Sequence, residues 1–229
     1  MKKHFIRSTS IVAVATLASR FLGFVRDILL AQFFGTGALL DGFFVAFRIP
    51  NLFRRLVAEG SLTISFVPVY TEYLELEGRK SALVLAQKVL SLLGLVLFVI
   101  VGLGTWGAPL LVKLFGYGFS DPGLIAITVE LNRIMFSYLF FIGIVAFCMG
   151  YLNSHRHFFA PAFSPVFLNV GFIFGALVLQ RFFDDSIKGL AWGVVCGGAM
   201  QLLLQIPFMI KYGFRLHLSI DPSHSGVRK

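Results

Sequence analysis

Charge is what this sequence has least of. Of its 229 residues only 14% are Asp, Glu, Lys or Arg, against the roughly 25% of an ordinary soluble domain. With 57% hydrophobic and 15% aromatic residues, and a mean hydropathy of +0.85, that shortfall excludes a soluble globular protein and points to an integral membrane protein. Acidic side chains are scarcer still, 11 against 20 Lys plus Arg, for a formal net charge of +9. An excess of this kind can mark a nucleic-acid binder. Here the basic residues are dispersed along an apolar chain instead of gathered on one face, so nucleic acid is not an expected partner.

Other absences narrow the function. Cysteine is limited to Cys148 and Cys196, both in apolar stretches with neither a CxxC nor metal-ligand spacing, so they read as small apolar fillers. No metal or cofactor is expected. The sequence has no HExxH, no GxSxG, no P-loop lysine and no cluster of intramembrane acids suited to proton transfer, so an enzyme is not expected either. Repeats, low-complexity segments and a soluble domain are missing too.

What is present is a series of long apolar runs. About 20 apolar residues cross a bilayer, and on that basis we expect an all-α protein with six transmembrane helices over 8–34, 39–73, 81–112, 123–152, 161–182 and 189–210, followed by a polar tail over 211–229. The basic start Lys2, Lys3 and Arg7 before an apolar stretch resembles a secretory signal. The apolar character resumes after Arg20 and continues to Phe34, which favours a retained first helix. The run 39–73 would be about 52 Å long as one straight helix, so Pro50 and the Glu59-Gly60-Ser61 break are expected to kink or interrupt it. A charged loop is expected over 72–80.

Basic residues orient the spans. An inside N-terminus places Lys2, Lys3, Arg7, Arg79, Lys80, Lys88, Arg156, Lys211, Arg215, Arg228 and Lys229 on the cytoplasmic side, and only Lys113, Arg181 and Lys188 outside. Both termini are therefore expected to be cytoplasmic. Gly189, Gly193 and Gly197 recur every four residues on the last helix, with Gly171 and Gly175 on the fifth, as expected for close helix packing. His155 and His157 flank Arg156 in what reads as a short solvated loop.

Against this background the arginines stand out. Arg20, Arg26, Arg48, Arg54, Arg55 and Arg133 lie within or at the edges of apolar segments, although an arginine at a helix centre costs about 2.5–3.5 kcal/mol on insertion scales. Their planar, permanently charged forks suit a phosphate held in a cavity. Arg20 and Asp27, seven apart, share one face of the first helix, with Arg26 about 120° round from Arg20. Arg48 and Arg55 share a face of the second helix if it survives Pro50, and Asp41 opens that segment. The competing reading pairs these arginines with Asp27, Asp41 and Glu59 to lock helices, or lets them snorkel to headgroups. Glu130 and Arg133, three apart, are expected to pair locally.

The stretch Ser19-Arg20-Phe21-Leu22-Gly23-Phe24-Val25-Arg26-Asp27 resembles the MurJ (MviN) family of lipid II flippases. The similarity continues through Phe33-Phe34-Gly35, Asp41, and Phe43-Phe44-Val45-Ala46-Phe47-Arg48-Ile49-Pro50-Asn51-Leu52-Phe53-Arg54-Arg55. It extends through Ala58-Glu59-Gly60, Phe66-Val67-Pro68, Ala160-Pro161-Ala162-Phe163, Pro165 and Asn169. This resemblance implies one lobe of a multidrug/oligosaccharidyl-lipid/polysaccharide exporter-type fold in the bacterial inner membrane. It implies a role in peptidoglycan biosynthesis: moving lipid II, an undecaprenyl-diphosphate-linked muropeptide, to the periplasmic leaflet by alternating access. It further implies that Arg20, Arg26 and Arg54 line a cavity and engage the diphosphate–sugar headgroup, and that Asp41 matters functionally. Arg48 and Arg55, from the residue pattern alone, are further candidate substrate-binding residues. Family members carry a second lobe, so besides membrane lipids a second lobe or self-association is an expected partner. An exporter of another lipid-linked glycan or of a drug, and a non-transporting membrane scaffold, are the alternatives.

Overall fold

A computed structural model describes residues 2–55 and 65–217, with side chains from Thr9 onward, and every regular element in it is helical. The described residues form α1 (Lys2–Phe34), α2 (Ala38–Arg54), α3 (Val67–Leu76), α4 (Arg79–Trp106), α5 (Ala108–Phe115), α6 (Pro122–Ser154), α7 (Phe159–Leu177) and α8 (Ser186–Lys211), with a 3₁₀ turn at Leu179–Phe182. The Glu59-Gly60-Ser61 break and the tail beyond residue 217 lie outside the described residues.

Several boundaries differ from the sequence expectation, each for a local reason. The expected run 81–112 is two helices, because the chain breaks at Gly107 and restarts with Pro109 in the first turn of α5. The expected charged loop over 72–80 is mostly helix: α3 continues to Leu76, and only Glu77 and Gly78, the latter at φ +84°, separate it from α4. α6 starts at Pro122 because Asp121 caps it, its carboxylate accepting from the N–H groups of Gly123 (3.0 Å) and Leu124 (3.1 Å).

Among the described residues four helices are long and apolar enough to cross a membrane: α4, α6, α7 and α8. The remaining two expected crossings begin with α1 and α2, the helices that carry Arg20, Arg26, Asp27, Asp41, Arg48 and Arg54. Helix α6 is central. It packs against α2, α4 and α8, while α7 lies on α8 and supports α1 from the opposite side.

The α7–α8 contact is a meeting of bare backbones. A Cβ on Gly193 would lie 2.5 Å from the Gly171 carbonyl and 2.7 Å from Gly175 Cα; one on Gly171 would overlap Gly197 Cα. Membrane helices gain association energy from such close approach because lipid offers no hydrophobic drive between them. The register of α7 on α8 is thereby fixed by atoms that cannot repack.

At the opposite end of the bundle, α8 closes with a Schellman turn. Gly213, at φ +85°, follows the last turn, and Phe214 N–H donates to Met209 O at 2.9 Å. Arg79 lies on the bare Gly213 Cα and donates to Tyr212 O at 2.7 Å; Tyr151 Oη donates to the same carbonyl at 3.1 Å. The expected solvated histidines are packed into this cluster instead. His157 stacks on Phe208 at 4.5 Å and its Nε2 accepts from Ala160 N–H at 3.4 Å. His155 lies 4.5 Å from the Tyr151 ring and donates from Nδ1 to Tyr151 O at 2.9 Å. Burial holds both imidazoles below their usual pKa, and the cations beside them, Arg79 for His155 and Lys211 for His157, push the same way.

Replacing Gly193 by valine should destabilise the chain by about 2 kcal/mol through overpacking, whereas Gly102→Ala on an open face of α4, where nothing lies within 4 Å, should be neutral or slightly stabilising; thermal unfolding in detergent reads both. The two histidines are neutral in the fold, so in acid the unfolded chain binds more protons than the folded one. Stability should be complete above about pH 6.5 and fall as pH drops through that value towards the lowered folded pKa. The melting temperature at pH 7.5 and 5.5 measures the loss, which His157→Gln should reduce.

Candidate ligand site on the first two helices

The motif on α1 resolves into two parallel stripes. Ser19, Gly23 and Arg26, spaced by four and three, share the face that meets α7, where a Cβ on Gly23 would lie 3.8 Å from Asn169 Oδ1. Arg20 and Asp27 lie about 100° round and are exposed. One short sequence thus writes both a packing face and a charged face.

Arg26 is the braced member. Its Nη2 lies 2.8 Å from Asp27 Oδ1 and its Nε donates to the same oxygen at 2.9 Å. Its Nη1 donates to Asn169 Oδ1 at 3.0 Å across the α1–α7 interface. The guanidinium carbon sits 5.1 Å from the centroid of the Phe172 ring, a cation–π contact one helical turn along α7. Asp27 therefore pairs with its chain neighbour and not with Arg20 on its own face, and the link between helices runs through an amide instead of an acid. Arg20 has no recorded hydrogen bond or ion pair among the described residues.

Helix α2 converges on the same point. Its apolar face buries Leu40, Phe43, Ala46, Ile49 and Pro50, and the rings of Phe43 and Phe47 meet Phe172 edge-on at 6.0 and 5.4 Å. Pro50 has no N–H, so the carbonyl of Ala46 loses its helical donor. Asn132 Nδ2 from α6, fully buried, donates to that carbonyl at 2.8 Å. This substitution lets α2 continue through the proline to Arg54, and it keeps Asp41, Arg48 and Arg55, each seven apart, on one exposed face. Arg54 is half-buried beside that stripe, with Nε donating to Asn51 Oδ1 at 2.8 Å.

Between Thr9 and Arg55, α1 and α2 carry five arginines (20, 26, 48, 54, 55) and two acids (27, 41). Among the described residues Arg26–Asp27 is an ion pair of this set, while Arg20, Arg48 and Arg55 are exposed. Five arginines against two acids make the surface net positive, so it can attract an anion, and Arg26 can present a braced guanidinium to it. Arg133 does not join this surface as the partner of Glu130: the recorded ion pair of Glu130 is with Lys188 of α8 at 2.6 Å, and Lys188 also holds Asp185 at 2.8 Å. Among the described residues no three His, Cys, Asp or Glu side chains gather as metal ligands.

Sequence reasoning did not reach Asn132, Phe172 or the bracing role of Asn169. A proline in mid-helix does announce an orphan carbonyl four residues earlier, and so a donor from elsewhere, but not which helix supplies it.

The family model described as lipid II flippase MurJ matches residues 30–229. A probable lipid II flippase MurJ of Buchnera aphidicola is 39% identical over 201 residues, which is 87% of this chain and 39% of that protein. The lipid II flippase MurJ of Burkholderia cenocepacia is 36% identical over 231 residues, 99% of this chain and 45% of its own length. A solved structure, lipid II flippase MurJ in an inward closed conformation, superposes with a TM-score of 0.75 at 27% identity, over 90% of this chain and 43% of that one. The chain thus spans less than half the length of the curated relatives it matches. It is a multi-pass membrane protein that belongs to the lipid II flippase MurJ family.

Proposed function

We propose that this chain is the first lobe of a lipid II flippase in the bacterial inner membrane, a transporter and not a catalyst. In this reading the lobe has six crossings, made by α1, α2 with α3, α4 with α5, α6, α7 and α8. The excess of Lys and Arg on the side of α3–α4, the α6–α7 turn and the end of α8 puts both termini in the cytoplasm. Residues 1–210 form the transmembrane lobe and 211–229 a polar cytoplasmic tail.

The observation that carries the reading is the cationic surface of α1 and α2, with Arg26 braced at its base. A diphosphate entering there meets Arg20 and the stripe of Arg48 and Arg55 as mobile charge, and Arg26 and Arg54 as held donors. Asp41 sits at the opposite end of that stripe, in the first turn of α2. The polyprenyl tail stays in lipid while the headgroup occupies the polar surface. Rocking against a second lobe, supplied by the rest of a longer protein or by another chain, exposes the headgroup outside. Only a difference in grip between the two states drives that exchange.

An exporter of another lipid-linked glycan or a drug would use the same fold with a different ligand; a scaffold would use the arginines only for stability. Purified chain should bind lipid II more tightly than undecaprenyl phosphate or bulk anionic lipid, with Arg20→Ala and Arg54→Ala each weakening lipid II binding by about tenfold or more. Equal affinity for all three lipids would contradict the proposal. Variants that lose thermal stability but keep their affinity would favour the scaffold.

A further inference from the structure

One side chain beneath the cationic surface is more tightly specified than a packing role requires. Asn169 is 7% exposed, and both ends of its amide are committed. Its Nδ2 faces three oxygens, Ser19 O at 3.0 Å, Ser19 Oγ at 3.3 Å and Pro165 O at 3.4 Å. A nitrogen is the only amide atom that suits such neighbours, because carbonyl oxygens can only accept. Its Oδ1 must therefore point towards Arg26. The amide cannot flip without setting an oxygen against oxygens and a nitrogen against a guanidinium.

The platform beneath it is equally constrained. Asn169 and Phe172 lie one turn apart on α7, and Gly171 between them faces the opposite way, against the backbone of Gly193 and Gly197 on α8. Phe172 is 1% exposed and its ring edge is closed off by Phe43 and Phe47 of α2. The guanidinium of Arg26 is thus confined on three sides: by the carboxylate of Asp27, by the amide oxygen of Asn169 and by the face of Phe172. Asp27 engages Nε and Nη2 and Asn169 engages Nη1, so one N–H on each Nη is left for a ligand. The amide and the ring hold the plane of the fork. A planar fork recognises phosphate through two parallel hydrogen bonds, so its orientation decides whether it can bind in that mode.

We infer that Asn169 and Phe172 are positioning residues: they hold the plane of the Arg26 fork so that it grips one phosphate of a diphosphate while the other meets the exposed arginines, an arrangement that a monophosphate cannot fill. The inference rests on the proposed lipid II reading and adds to it a role for α7. Asn169 supplies orientation, not charge. Asp27 already balances the charge of Arg26, so the contribution of Arg26 to binding is geometric, whereas that of Arg20 is electrostatic.

The test is a double-mutant cycle on the whole chain in lipid nanodiscs, with lipid II and undecaprenyl phosphate as the two probes. Asn169→Leu should weaken lipid II binding about tenfold and change undecaprenyl phosphate binding little, with Phe172→Leu acting in the same direction. In an Arg26→Ala background the Asn169→Leu change should have no further effect on affinity, because the side chain it positions is gone. Melting temperatures of all variants are read alongside. An additive loss in the Arg26→Ala background, or a fall in melting temperature with unchanged affinity and unchanged preference, would overturn the positioning role and leave Asn169 as a packing residue. Failure of the unmodified chain to prefer lipid II would overturn the reading beneath it, and is distinguished by that arm alone.

Discussion

The contact of α7 on α8 through Gly171, Gly175, Gly193 and Gly197 is the constraint from which the rest of the site is built. Backbone against backbone leaves no side chain to adjust, so α7 has one register. That register sets the height of Asn169 and Phe172 on its other face. These in turn fix where α1 rests, through Ser19 and Arg26, and where α2 rests, through Phe43 and Phe47. The chain thus positions its most costly side chains, arginines in apolar helices, from the most rigid part of its interior. A site that must bind through geometry needs support of this kind, since a shift of a fraction of an ångström separates a paired phosphate contact from a single one.

The arginines divide into two kinds under this arrangement. Arg26 and Arg54 are half-buried and hydrogen-bonded by neighbouring amides, Asn169 and Asn51. Arg20, Arg48 and Arg55 are exposed on α1 and α2. Fixed donors recognise a shape, whereas exposed charges attract and steer an anion over a longer range. A transporter needs both, and it also needs release. A surface in which some arginines already have partners in the empty state gives up less on release than one in which every charge depends on the ligand.

Much of this was legible in the sequence. Membrane class follows from composition, and the glycine spacing marked a close-packing face on each of α7 and α8, which the structure brings against each other. The seven-residue spacing of Arg48 and Arg55 gave their shared face, conditional on a helix surviving Pro50. What could not be read was how it survives: Asn132 lies 86 residues further on and acts as a donor only because α6 carries it to the Ala46 carbonyl. Seven-residue spacing put Asp27 on the face of Arg20, as found, but left open which arginine it pairs with: a long guanidinium side chain can fold back along its own helix to an adjacent acid once Asn169 and Phe172 hold its far end. The histidines were misread because a short polar loop looks solvated in sequence, whereas Phe208 and Tyr212, from the distant end of α8, close over it beside the local ring of Tyr151. In each case the missing information is a tertiary contact, and local spacing does not encode it.

If the headgroup of a diphosphate-linked lipid rests on α1 and α2, as proposed, photo-crosslinking will find it there. The membrane-embedded chain is labelled with a lipid II analogue bearing its reactive group beside the diphosphate, and the modified residues are mapped by mass spectrometry. Adducts should concentrate within residues 20–27 and 48–55 and be suppressed by unlabelled lipid II. Adducts confined to the outer faces of α4 and α5, or distributed along the chain and indifferent to competitor, would contradict the proposal.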